Sequence, residues 1–168
     1  MQIQRNSLSR FVNEVLKDTG LGGWPNFIGD RLFMSAVIIA VPVWGVLWFT
    51  VMPTFTLKDE SVALILFTSI IWSPLLEEIL FRGILQGFLK KTPWGNAKFL
   101  KLSKANWLTS LVFVIAHLWY QPLMWAMMVF LPSLVFGFFR DRYNHTFPSI
   151  LLHAVYNGGF ILANLMAQ

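Results

Sequence analysis

The 168-residue chain has no cysteine, so a disulfide framework, a thiolate zinc site and a cysteine nucleophile are all excluded. Charge is scarce as well: Asp, Glu, Lys and Arg make up 12% of the residues, about half the usual share of a soluble domain. Hydrophobic residues fill 56%, which removes the disordered, coiled-coil and collagen-like classes. The length suits one domain. The rarer sign is negative, with eight acids against thirteen Lys and Arg and a net charge of +5. Such an excess invites a nucleic-acid reading, but the positions of the cations point to a membrane instead. Neither an internal repeat nor a low-complexity tract is present.

Four stretches contain no charged residue: 32–57, 61–76, 105–139 and 143–168. A helix rising about 1.5 Å per residue needs roughly 20 apolar residues to cross the hydrocarbon core. The first stretch supplies one span from Leu32. The second supplies another if it runs on through Leu89, carrying Glu77, Glu78 and Arg82 inside. The third is too long for one helix, and Tyr120-Gln121-Pro122 divides it into 105–119 and 123–139. A last span is expected at 149–166. The expected fold is therefore an all-α polytopic membrane bundle over 32–168, with about five transmembrane helices. Residues 1–31 precede it as an amphipathic, interfacial segment. There Leu8, Phe11, Val12, Val15 and Leu16 recur at helical spacing among Arg5, Arg10 and Lys17. A helix packed on the protein's own surface would show the same pattern. No apolar run precedes residue 32, so a cleavable signal peptide is not expected.

Cations outside the spans set orientation. Arg5, Arg10, Lys17 and Arg31 precede the first span, and Lys90, Lys91, Lys98, Lys101 and Lys104 follow the second. Arg140 and Arg142 follow the fourth, whereas loop 53–61 has only Lys58. This alternation puts eleven cations on one side and one on the other. The expectation is an integral protein of a bacterial-type inner or plasma membrane, with a cytoplasmic N-terminus and an external C-terminus. Membrane lipid is an expected partner and nucleic acid is not. Trp24, Trp94, Trp107 and Trp119 near span ends suit an aromatic belt.

Ionisable groups at lipid depth cost about 2.5–3.5 kcal/mol each on insertion scales and usually mark function. This chain places Glu77, Glu78, Arg82, His117, His153 and Asn157 there. Glu78 and Arg82 lie one helical turn apart and suit an i,i+4 ion pair, read as structural. Glu77 points about 100° away and remains available, as a general base in a low-dielectric pocket must. His153 and Asn157 share a face and can donate together to a developing oxyanion. A helix–helix hydrogen bond is the other use of a lone intramembrane His or Asn. Gly83-x-x-x-Gly87 and Gly158-Gly159 read as close packing, and the turn carrying His145 as solvated.

Several chemistries have no place here. Asp18, Asp30, Asp59 and Asp141 lie outside the spans, which removes a paired-aspartate protease. No Gly-x-Ser-x-Gly elbow and no His-Glu-x-x-His occurs. Zinc held by Glu77, His117 and His153 is the lesser alternative, because Asn157 is a poor ligand and Glu78 is tied to Arg82. No cofactor is therefore expected.

Glu77-Glu78-Ile-Leu-Phe-Arg82, Phe113-Val-Ile-Ala-His117 and His153-Ala-Val-Tyr-Asn157 occur in that order on separate helices. In these motifs the chain resembles the CAAX protease and bacteriocin-processing (CPBP) family of membrane endopeptidases. The resemblance covers about residues 70–165. It implies a glutamate-dependent intramembrane protease acting on a membrane-anchored peptide or protein. It also implies that Glu77 and His117 activate water, His153 and Asn157 hold the oxyanion, and Glu78 and Arg82 support the site. The role of His117 rests on the motif alone. The alternative is a non-enzymatic immunity or peptide-binding membrane protein that retains the motifs. Because His117 and His153 fall at different depths, a bend at Pro74 or a re-entrant 105–122 segment is expected.

Overall fold

The computed structural model describes residues 2–50 and 61–166, with side chains described over 9–46 and 61–162. The loop bearing Lys58 and the end of the first expected span lie outside the described residues. Helices dominate: α1 Gln2–Asp18, α2 Arg31–Thr50, α3 Val62–Lys90, α4 Pro93–Asn96, α5 Lys104–His117, α6 Leu123–Met128, α7 Phe130–Tyr143 and α8 Phe147–Met166. Between α4 and α5 a small antiparallel hairpin joins β1 Lys98–Phe99 to β2 Leu102–Ser103, with Lys98 opposite Ser103 and Phe99 opposite Leu102.

Among the described residues, two helical segments, Val62–Lys90 and Leu123–Tyr143, are long and apolar enough to cross a membrane. The segment expected over 105–119 is instead a 14-residue helix, α5. At about 1.5 Å per residue it reaches roughly 21 Å, short of the ~30 Å hydrocarbon core. Local chemistry sets its ends. The Ser103 hydroxyl accepts from the Asn106 N–H at 3.0 Å, satisfying one orphan donor of the first turn. Beyond His117 the chain turns through 118–122, where Pro122 biases Gln121 away from helix.

The second span does run through Leu89, but not as a regular helix. Two π-helical stretches, Phe67–Trp72 and Ile79–Gln86, flank an α turn at Ser73–Glu78. Pro74 accounts for the first of them. In π register the Ser73 N–H reaches back to the Thr68 carbonyl, so the Ser69 carbonyl is due a donor from residue 74. Proline has none.

The chain divides into two compact units, Met1–Pro25 with Glu77–Ser149, and Asn26–Leu76 with Ile150–Gln168. The first unit buries a set of polar groups beside apolar ones such as Phe113 and Phe136, while other apolar groups stand outside. Glu78, Arg82, Gln86, Asn106, Thr109, Ser110 and Ser133 are all 0% exposed. Leu80, Ile84, Phe88, Ile115 and Leu131 stand outward on the same helices, each more than half exposed. An aqueous solvent would invert that arrangement, whereas a hydrocarbon solvent demands it.

α7 packs on α5 through Asn106, which donates to the Leu134 carbonyl at 2.9 Å and accepts from Ser110 at 3.2 Å. Only a glycine at 137 leaves room for this carboxamide, since a Cβ there would overlap it. α1 ends in a glycine cap, with Gly20 at φ +67°, Leu21 N–H on the Leu16 carbonyl and Gly20 N–H on that of Lys17. The backbone just after α1 is strapped to the unit by Thr146, whose hydroxyl donates to the Thr19 carbonyl and whose N–H donates to that of Gly20. Gly83 and Gly87 face the Thr19 and Asp18 carbonyls, so their spacing serves close approach of backbone rather than of a second helix. The Phe11, Val12, Val15 and Leu16 face of α1 is exposed among the described residues.

Two sequence expectations are overturned in this unit. α7 continues to Tyr143, so Arg140 is a helix residue, 2% exposed, rather than a loop cation. It donates to the Arg82 carbonyl, Asn144 Oδ1 and the Asp18 carbonyl. The cations able to set orientation on the N-terminal side therefore number ten. His145 is buried rather than solvated: Nδ1 accepts from the Phe147 N–H at 3.1 Å, leaving Nε2 to donate to the Gly23 carbonyl at 2.9 Å.

In the second unit, Trp44 Nε1 donates to the Tyr156 carbonyl and Tyr156 Oη donates to that of Ala36, joining α2 to α8. Gly159 faces the Trp44 ring and Gly158 faces Ile70, so both glycines serve packing.

His145→Ala removes two part-buried hydrogen bonds to backbone. It is expected to cost about 1–3 kcal/mol, read as a clear fall in Tm of the detergent-solubilised protein. A solvated turn would show no change.

Candidate active site

The first unit assembles four of the six expected site residues. Glu78 and Arg82, one turn apart on α3, pair through Oε2 and Nε at 3.1 Å with both side chains fully buried. The guanidinium is held on two further sides: Nη2 donates to Ser133 Oγ at 2.7 Å, and the ion lies 5.3 Å from the Phe113 ring centroid. An ion pair buried without such added contacts would not recover its desolvation cost. Arg140 Nε completes the clamp from the backbone side, bonding the Arg82 carbonyl at 3.1 Å within the second π-helical stretch.

Glu77 is aimed elsewhere, at α5. Its Oε2 lies 4.0 Å from His117 Nε2, with the side chains 25% and 13% exposed. His117 Nδ1 is 2.9 Å from the Phe113 carbonyl, which can only accept. Nδ1 therefore carries a hydrogen, and the basic lone pair of a neutral His117 sits on Nε2, facing the carboxylate. The Phe113 ring, 4.4 Å from the imidazole, fixes the plane of that ring. On the other side Tyr120 lies 5.2 Å from His117. Its phenol is pushed up to about 12 by burial and, second, by the Glu77 carboxylate. Water around a residue that is 59% exposed screens part of both effects. Tyr120 thus remains a neutral donor across the physiological range.

Among the described residues of this unit, no third carboxylate or imidazole joins Glu77 and His117 in a group able to hold a metal ion. His153 and Asn157 belong to the second unit. His153 is buried on α8 at 6% exposure. Asn157 donates one amide hydrogen to the Ser69 carbonyl at 2.9 Å, the carbonyl that Pro74 leaves without a backbone donor. Its second N–H is not used in that bond.

Sequence reasoning found the acids and the histidines but missed their supports. Ser133, which belongs to none of the three motifs, receives Arg82. Phe113 contributes a carbonyl and a ring as well as a motif position. Tyr120, three residues after His117, carries a helical-spacing signal that could have been read. Nothing in the pattern around Arg140 distinguishes it from a solvated cation.

The family model for type II CAAX prenyl endopeptidase Rce1-like proteins matches residues 59–159, more than half of the chain. The chain belongs to that family. It is thereby a CPBP-type protein of a membrane-embedded protease family, as its three motifs indicate. The match begins just before α3 and ends two residues after Asn157, so it takes in every motif residue described above. No curated protein and no solved structure matches the chain.

The two adjacent glutamates are expected to respond differently to amide substitution. Glu78→Gln leaves Arg82 buried without its counter-charge and should cost about 3–5 kcal/mol. Glu77→Gln, partly exposed and outside the clamp, should cost under about 1 kcal/mol. Thermal unfolding of both variants in the same detergent checks this ordering, and equal losses would sink it.

Proposed function

We propose that this Rce1-like chain is an intramembrane endopeptidase that hydrolyses a membrane-anchored peptide or protein near its C-terminal tail. The observation that carries the reading is the meeting of Glu77 Oε2 and His117 Nε2 at 4.0 Å, with Nδ1 committed to the Phe113 carbonyl. A water oxygen about 2.8 Å from both atoms suits that separation. Donating one hydrogen to the carboxylate and one to Nε2, it keeps its lone pairs for the scissile carbonyl carbon. As the C–O bond forms, Glu77 accepts the proton and later returns it to the leaving amine. His153 and Asn157 are assigned the oxyanion, Asn157 through the amide hydrogen not given to Ser69. Glu78, Arg82 and Ser133 act at one remove, holding the α3 turn that aims Glu77.

The reaction in this reading uses no metal and no other cofactor, because Asn157 is a poor zinc ligand and Glu78 is engaged by Arg82. The chain is assigned about five spans, with α1 in the interface of the cytoplasmic leaflet. The N-terminus is placed in the cytoplasm and the C-terminus outside, by ten cations against one.

Two measurements test the proposal. Glu77→Gln and His117→Ala, each confirmed to be membrane-inserted and folded, should lower cleavage of a membrane-tethered peptide at least about 100-fold. A chelator should leave the wild-type rate unchanged. Retained cleavage in Glu77→Gln would reject the base assignment, and inhibition reversed by zinc would reject the metal-free one. A protective or binding phenotype that survives both substitutions would favour the immunity-protein reading. Orientation is read separately: the chain lacks cysteine, so Lys98→Cys and Lys58→Cys are unambiguous probes. An impermeant thiol reagent should label position 58 and not position 98 from outside.

A further inference from the structure

One apolar cavity of the first unit, an open groove with half-exposed walls, is not used by the proteolytic reading. It has a volume of about 270 Å³ and is lined by Trp94, Phe99, Lys104, Trp107, Leu108 and Leu111. None of these residues belongs to the three motifs. Almost all of the lining surface is carbon, so a free inorganic anion has nothing to gain inside.

The walls are built rather than incidental. Trp107 Nε1 donates to the Phe99 carbonyl at 2.9 Å and its ring meets the Phe99 ring edge-on at 5.6 Å, which locks the hairpin against α5. The hairpin turn is Leu100-Lys101, with φ +48° and +69°. Both central residues are left-handed, the geometry of a turn that ordinarily selects Asn-Gly. Leucine and lysine adopt it only at a conformational cost, and backbone strain of this kind collects at functional positions. What the strain secures is a tip with Leu100 70% exposed, beside exposed Phe99 and Trp94.

Charge completes the pattern. Residues 90–111 contain five lysines and no acid. Two of the five are already neutralised, Lys90 by Asp141 at 2.9 Å and Lys91 by Asp18 at 2.6 Å. Lys98, Lys101 and Lys104 make no ion pair among the described residues; Lys104 Nζ lies 5.8 Å from the Trp94 ring centroid, at the cavity wall. An apolar groove with one cation in its wall and two more on the adjoining hairpin matches a molecule with an acyl tail and an anionic head.

We propose that the hairpin and the start of α5 form a binding site for an anionic phospholipid. One acyl chain enters the cavity and the phosphate meets Lys98, Lys101 and Lys104, while Leu100 dips into the interface. This site anchors and orients the cytoplasmic end of the first unit in the leaflet, whether or not the motif residues catalyse hydrolysis.

The test is retention of phosphatidylglycerol against phosphatidylcholine with the same chains, measured by native mass spectrometry of the full-length protein in detergent. Each surface lysine near an anionic lipid contributes enough that wild type should favour phosphatidylglycerol about tenfold or more at low salt. Lys98→Gln with Lys101→Gln, both exposed, should lower that preference about tenfold with Tm unchanged. Leu111→Trp, or the smaller Leu111→Phe if the first does not fold, fills the cavity and should lower retention of both lipids. Millimolar inorganic phosphate should fail to displace the lipid. Equal retention of the two lipids by wild type would overturn the proposal. So would a preference untouched by the lysine substitutions, retention untouched by filling the cavity, or full displacement by phosphate.

Discussion

A fully buried ion pair inside an apolar-surfaced helical unit is the constraint on which the rest of the first unit depends. Glu78 and Arg82 are both inaccessible, and neither can be left with an unmet charge in hydrocarbon. That requirement recruits Ser133 from α7 and the Phe113 ring from α5, so one guanidinium ties together three helices. Arg140 reinforces the same point through the Arg82 carbonyl and reaches on to Asn144 and the Asp18 carbonyl. Buried polar residues here share the interior with apolar ones such as Phe113, Phe136 and Phe139.

The clamp has a directional consequence for the neighbouring acid. Because Glu78 is consumed by the pair, Glu77 projects from the adjacent face of the α turn Ser73–Glu78 toward His117. His117 is equally constrained, its Nδ1 bound one turn back on its own helix. An acid and a base are set opposite one another without a direct hydrogen bond. In the second unit Pro74 has a comparable effect: by withholding one N–H it frees the Ser69 carbonyl, and the Asn157 amide occupies it.

Much of this was legible in the residues. Glu78-x-x-x-Arg82 announces an ion pair because four residues make one turn, and that pair forms. The apolar run from 61, carried on through Leu89 past Glu77, Glu78 and Arg82, announces a helix because its apolar residues outnumber the charges it takes inside. The supports were illegible for a physical reason. Ser133 lies fifty-one residues from Arg82, and no local periodicity encodes which serine a distant guanidinium will meet. Arg140 and His145 were misplaced because a cation or imidazole near a predicted span end looks the same whether it faces water or backbone carbonyls. The irregular winding of α3 was hinted at by Pro74 alone, and the second π-helical stretch had no sequence signal.

By itself the sequence determined that the chain is helical, that its polar groups at lipid depth are few, and which of them share a helix face. Those properties follow from composition and from a repeat of 3.6 residues, both local. Only the tertiary structure decided which acid is neutralised by a clamp and which faces a base, which glycines admit backbone, and where the unneutralised lysines gather. These outcomes depend on contacts between segments far apart in the chain, where packing and desolvation, not spacing, choose the partner.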